Sequence, residues 1–167
     1  MSIELLKSPR ADIDPLDALE SVADEMELTV ERVDAEELHL AIPGMWRDAG
    51  FWFTWRPELS TLQMGAPLDL KAPKGRIAEA ARLVAMANER LWIGHFDLWS
   101  DDLSIVFRNS AVLPANGALD RVQAECLIKG AREAIDRFLP AFNYLIWGGK
   151  TPEEALEASL FETAGNA

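Results

Sequence analysis

The chain reads as an α+β domain, an antiparallel β-sheet with helices packed mainly on one face. Three observations predict this class. Runs that alternate apolar and polar residues with period two occur between residues 28 and 66 and again between 95 and 109. Runs with helical spacing precede, separate and follow these two strand blocks, so strands come in groups rather than singly between helices. Turn-forming residues sit where hairpins need them, in "DAEE" (34–37), "PELS" (57–60) and at Asp101 and Asp102.

Residues 1–12 lack periodicity and contain Pro9, so a flexible leader is expected there, followed by a single domain over 13–165. In "DPLDALESVADEM", Asp14 is placed to cap a helix, Pro15 suits its first position and Asp17 lies in the positive first turn. Leu16, Leu19, Val22 and Met26 form its apolar stripe. "LTVERV" (28–33) and "LHLAI" (38–42) form a hairpin whose three-residue loop sets Val30 against Leu40 and Leu28 against Ile42. "FWFTWR" (51–56) and "TLQMGA" (61–66) form the next hairpin. Its four-residue loop pairs Trp55 with Leu62, Phe53 with Met64 and Phe51 with Ala66 on an apolar face. The opposite face carries Arg56 with Thr61, Thr54 with Gln63, and Trp52 facing Gly65. Pro67 is expected to end that strand's pairing or to mark an edge.

The run 74–92 reads as a helix, with Ile77, Ala81, Val84 and Leu91 at helical spacing and Gly94 as its terminator. Residues 95–100 and 103–109 make a hairpin turning at Asp101 and Asp102. Phe96 then pairs with Phe107 and Leu98 with Ile105 on the core side. His95, Asp97 and Trp99 share the other face with Arg108, Val106 and Ser104, and Asp97 lies diagonally within ion-pair reach of Arg108. A long helix over 119–147 directs Val122, Cys126, Ile135, Phe138, Phe142 and Leu145 inward, and Pro140 should kink or split it near 137–139. "TPEEALEASLFETA" begins a last helix, with Thr151 as cap, Pro152 first and Glu154 at the capping-box position.

Composition narrows the function. A formal charge of -12, from 28 acidic against 16 basic residues, disfavours nucleic acid, whose binding is driven by phosphate neutralisation, and anionic membrane surfaces likewise. No stretch is apolar enough to span a bilayer and the first residues do not resemble a signal peptide. The one cysteine, Cys126, excludes an intramolecular disulfide and fits a reducing compartment, so a cytoplasmic protein is expected.

Motifs for chemistry are sparse. Histidine occurs at positions 39 and 95 only, and neither comes with a nucleophile at recognisable spacing. His39 lies on the polar strand face beside Glu31, where a solvated or salt-linked role accounts for it. One cysteine and two histidines fall short of a structural zinc site, and no glycine-rich phosphate loop is present, so no metal or cofactor is expected. What stands out is six tryptophans, at 46, 52, 55, 92, 99 and 147. Trp55, Trp92 and Trp147 fall at core positions, whereas Trp52 and Trp99 fall on the sheet face opposite the core. Aromatic side chains displayed there suit a partner protein or peptide; alternatively, the last helix covers them within the monomer. The residues expected to make contact are Trp52, Arg56, His95, Trp99 and Arg108.

"FTWRPEL", "NERLWIGHFDLWSDD" and "PAFNYLIWGGKTPEEALEASLFETAG" together resemble the YbjN-like family of bacterial sensory transduction regulators, over about residues 14–165. The resemblance implies a fold similar to that of type III secretion chaperones, which are small acidic α+β proteins that usually dimerise and bind extended segments of other proteins. It implies a regulatory effect on signalling or motility and supplies no catalytic residues. The expected function is therefore a non-enzymatic protein-binding regulator or chaperone-like adaptor, a homodimer. The alternative is a small-molecule-binding protein or enzyme with a pocket near His95 and Asp97.

Overall fold

The computed structural model describes residues 14–165, so the expected leader over 1–12 lies outside the described residues. Helix α1 (Pro15–Glu25) begins where the Asp14 carboxylate accepts a hydrogen bond from the Leu16 amide at 2.9 Å. Strands β1 (Thr29–Arg32), β2 (Glu37–Ile42), β3 (Ala49–Arg56) and β4 (Thr61–Lys71) follow as a meander. Then come α2 (Ile77–Asn88), the hairpin β5 (His95–Leu98) and β6 (Ser104–Val112), and the helices α3 (Arg121–Ile146) and α4 (Pro152–Gly165). The six strands form one antiparallel sheet in the order β1-β2-β3-β4-β6-β5.

The hairpin registers are those that side-chain alternation dictates. Val30 lies opposite Leu40, Trp55 opposite Leu62, Phe53 opposite Met64, Phe96 opposite Phe107 and Leu98 opposite Ile105. A one-residue slip in any of them would turn its apolar set to the wrong face. The new information is the β4–β6 ladder, which joins the two strand blocks from Thr61↔Val112 to Pro67↔Val106 and shifts before Lys71↔Ser104. Pro67 is thus not at a sheet edge. It lies just beyond the last β3–β4 pair, Trp52↔Gly65, at the start of an irregularity, where a missing amide hydrogen costs little.

The helices pack on the inner face. There Phe96 meets Phe107, Phe138 and Phe142 edge to face, with ring centroids 5.4, 5.9 and 5.1 Å apart. This cluster ties the β5–β6 hairpin to α3, and truncating one such buried ring typically costs about 3–5 kcal/mol. Arg76 holds the far end of α3: its guanidinium donates to the Leu145 carbonyl and, at 2.7 Å, to that of Lys150. α4 opens with the expected capping box, the Thr151 amide donating to Glu154 at 3.0 Å and the Glu154 amide to the Thr151 hydroxyl at 3.3 Å. It packs against α2 and α3.

Four expectations about helices need correction. The inward stripe of α2 is Ala80, Leu83 and Ala87, with Ile77 and Ala81 exposed, because the small alanines allow close approach. In α3 the row containing Ala124, Leu127, Ile128, Ala131, Ala134 and Ile135 faces the core and outcompetes the sparser row of Val122 and Cys126, which are exposed. Trp92 and Trp147 lie past the ends of α2 and α3 and are 99% and 77% exposed, not core residues. Pro140 does not split α3.

Candidate functional site

The register places one residue from every strand in a single row across the outer face of the sheet. In spatial order the row is Glu31, His39, Trp52, Gly65, Arg108 and His95. Directly paired residues share a face, so these side chains stand on the side away from the helices. Three of the five expected contact residues, Trp52, Arg108 and His95, are brought together here. Arg56 and Trp99 are not. Each lies four residues along its strand from the row, about 13 Å at strand rise, and β3 and β5 run in opposite directions, so the two flank the row at opposite ends.

Trp52 is half-buried because its indole lies across Gly65. A Cβ built on Gly65 would come within 2.3 Å of the ring, so the flat placement requires glycine at that position. Next to this platform, Val106 lies between Pro67 and Asp97 on the outer face and is only 1% exposed, although it stands outside the main core cluster. The outer face thus has a small closed apolar patch of its own. Ala41 and Gly50 leave a depression of about 370 Å³ on the other side of Trp52, rimmed by Thr29, Glu31 and His39.

The polar groups around this patch are organised. Arg108 donates to Asp97 at 3.1 Å, and His95 Nε2 lies 3.4 Å from the same carboxylate oxygen. The diagonal ion pair expected from the hairpin register is therefore present, and the Asp97 carboxylate faces both Arg108 and His95. His39 Nε2 lies 2.5 Å from Glu37 on its own strand; Glu31, although directly opposite, is not its partner. Arg56 lies 3.9 Å from Glu36. Trp99 is 42% exposed at the hairpin end, where its amide donates to the Ser104 carbonyl. Beside it, Asp102 accepts from the Ser104 hydroxyl and pairs with Lys71, which together hold its carboxyl at about 2.

The free edge of the sheet at β5 is blocked at Phe96. Asn88 donates to the Phe96 carbonyl at 3.0 Å and accepts from the Phe96 amide at 2.7 Å, filling both backbone groups. No group of three or more His, Cys, Asp or Glu side chains suited to a metal is found among the described residues. Nor is any helix of the described residues long and apolar enough to cross a membrane.

Comparison with known proteins places this geometry in a family. No curated protein matches the chain. Among solved structures, the crystal structure of YbjN from E. coli, titled "a putative transcription regulator", superposes with a TM-score of 0.50 at 15% identity, covering 88% of this chain and 93% of that one. At that identity the likeness speaks for the fold. The family model for YbjN, described as "Putative bacterial sensory transduction regulator", matches residues 15–143, from the first residue of α1 to within the last turn of α3 and including all six strands. On that match the chain belongs to the YbjN family.

Proposed function

We propose that the protein is a non-enzymatic regulator that acts by binding another protein through the outer face of its sheet. The observation that carries this reading is the six-strand row with a half-buried tryptophan at its centre and no described helix packed over it. A rigid indole platform, an ordered Arg108 and a neighbouring depression suit an extended segment carrying apolar and acidic side chains. The chaperone-like resemblance, the family's description as a regulator and the strongly acidic balance all support an adaptor role. Affinity capture from the native cell, with wild type beside Trp52→Ala/Trp99→Ala, tests it: a partner held by the wild type and lost by a folded double variant is the expected result.

A second reading, small-molecule binding, draws on the depression beside His39 rather than on His95 and Asp97. A carboxylate-paired imidazole at the mouth of a concave site is a plausible polar anchor. Titrating His39 by NMR against metabolite extracts distinguishes the two, since a face used only by proteins leaves its resonances unmoved.

A further inference from the structure

Three side chains that sequence periodicity assigns to the core, Trp92, Val122 and Cys126, instead line one groove of about 630 Å³ on the outside of α3, distinct from the sheet face. Trp92 is not exposed through looseness. The segment carrying it is fastened before and after: Asn88 clamps Phe96, Ile93 packs on Gly130, and Gly94 has a φ of +68° with Phe107 2.3 Å from where a Cβ would stand. A tryptophan that is 99% exposed on a fastened backbone has the character of an interface anchor whose backbone ordering cost is already met.

We infer that this groove is the docking surface for a second copy of the chain, arranged about a two-fold axis with the two α3 helices antiparallel. The charge pattern selects that occupant. Along this face Arg121, Glu125, Lys129 and Glu133 alternate in sign at four-residue steps. An antiparallel copy centred near residue 127 sets Glu125 against Lys129 and Arg121 against Glu133 in both directions, with no like pair. In a chain of net charge -12, most surfaces repel another copy, whereas this row is neutral and self-complementary. The same centre brings the two Cys126 residues within about 3 Å of each other along the helix axis, at 1.5 Å rise per residue, with Trp92 of each copy entering the groove of the other.

The test uses the full-length protein. Sedimentation velocity should show a dimer. Trp92→Ala should weaken it about tenfold or more, as truncation of an anchoring tryptophan does, without changing the circular dichroism of so exposed a site. Lys129→Glu should weaken it too, and Glu125→Lys/Lys129→Glu should restore it, because the exchanged pair is again complementary. Since Cys126 is the only cysteine, copper-phenanthroline should give a disulfide-linked dimer that Cys126→Ser removes. A protein that sediments as a monomer at every concentration gives the groove to some other occupant and overturns the inference. So does a dimer indifferent to Trp92→Ala and not cross-linked at Cys126. Neither outcome bears on partner capture through Trp52.

Discussion

The indole of Trp46 occupies the hydrogen-bonding place that Pro140 leaves empty. Pro140 lies within α3 and has no amide hydrogen for the carbonyl of Asp136 four residues earlier; Trp46 Nε1 donates to that carbonyl at 2.7 Å. The Asp136 side chain accepts from the Met45 amide at 2.7 Å, so the β2–β3 loop is fastened to α3 at the proline. This is why α3 runs through Pro140 unbroken, with Phe138, Leu139, Ala141 and Phe142 buried around it. Replacing Trp46 by Phe should cost about 0.5–1.5 kcal/mol in urea unfolding. In a Pro140→Ala background, where the helix supplies its own donor, the same change should cost measurably less, a coupling that a double-mutant cycle reads directly.

Gly65 should tolerate no side chain without moving Trp52. Gly65→Ala places a methyl group 2.3 Å from the ring, and relief requires the indole to swing into solvent. The expected loss is about 1–3 kcal/mol, as for other overpacked sites, with a red shift in tryptophan emission. An unchanged spectrum would mean that the ring does not lie over Gly65.

The Asn88 clamp on Phe96 should matter for stability and for solubility. Asn88→Ala leaves two backbone groups of an edge strand without partners and should destabilise by about 1–3 kcal/mol. It also uncovers an edge for intermolecular pairing, so light scattering on warming should show aggregation starting earlier than in wild type.

Acid should unfold the protein through identifiable carboxylates. Asp102, held at about 2 by the Ser104 hydroxyl and Lys71, is joined by Glu79 beside Arg76, Glu125 beside Lys129 and Glu153 beside Arg82, each below its ordinary range. Groups whose folded pKa is depressed stabilise fully above the ordinary carboxylate range, and that stabilisation is lost as the pH falls toward about 2. Tm should therefore drop across this acid window. Ser104→Ala removes the largest cause of the Asp102 shift and should raise the pH at which Asp102 titrates, readable by NMR.

How much of this was legible in the sequence follows from the range of each interaction. Hairpin registers, the caps at Asp14 and Thr151 and the Asp97–Arg108 ion pair depend on residues close in the chain, and alternation and turn length define them. The ladder joining Gly65 to Arg108 spans more than forty residues, so the row that unites Trp52 with Arg108 could not be read locally. Gly65 and Val106 were each read as facing outward, but only that ladder brings them together in one site; His39 joins it through the β2–β3 pairing, whose register the sequence analysis did not define. The signal available was that Gly65 is a glycine inside a strand directly facing a tryptophan, which marks close approach. On α3, two apolar rows at helical spacing compete, and which one faces inward depends on the sheet, the other helices and the number of contacts each row makes. Val122 and Cys126 fell on the losing side of that competition, and Trp92 lies past the end of α2, where helical spacing no longer decides which way it faces.

The outer sheet face is proposed to recognise a partner while the opposite face holds the fold. Comparing wild type with Trp52→Ala/Trp99→Ala in quantitative affinity capture, after circular dichroism has established that both are folded, tests it most directly. The expected result is a folded double variant that loses the wild-type partner. A folded variant that captures the same partner undiminished, or one that unfolds because these tryptophans are structural, would contradict it.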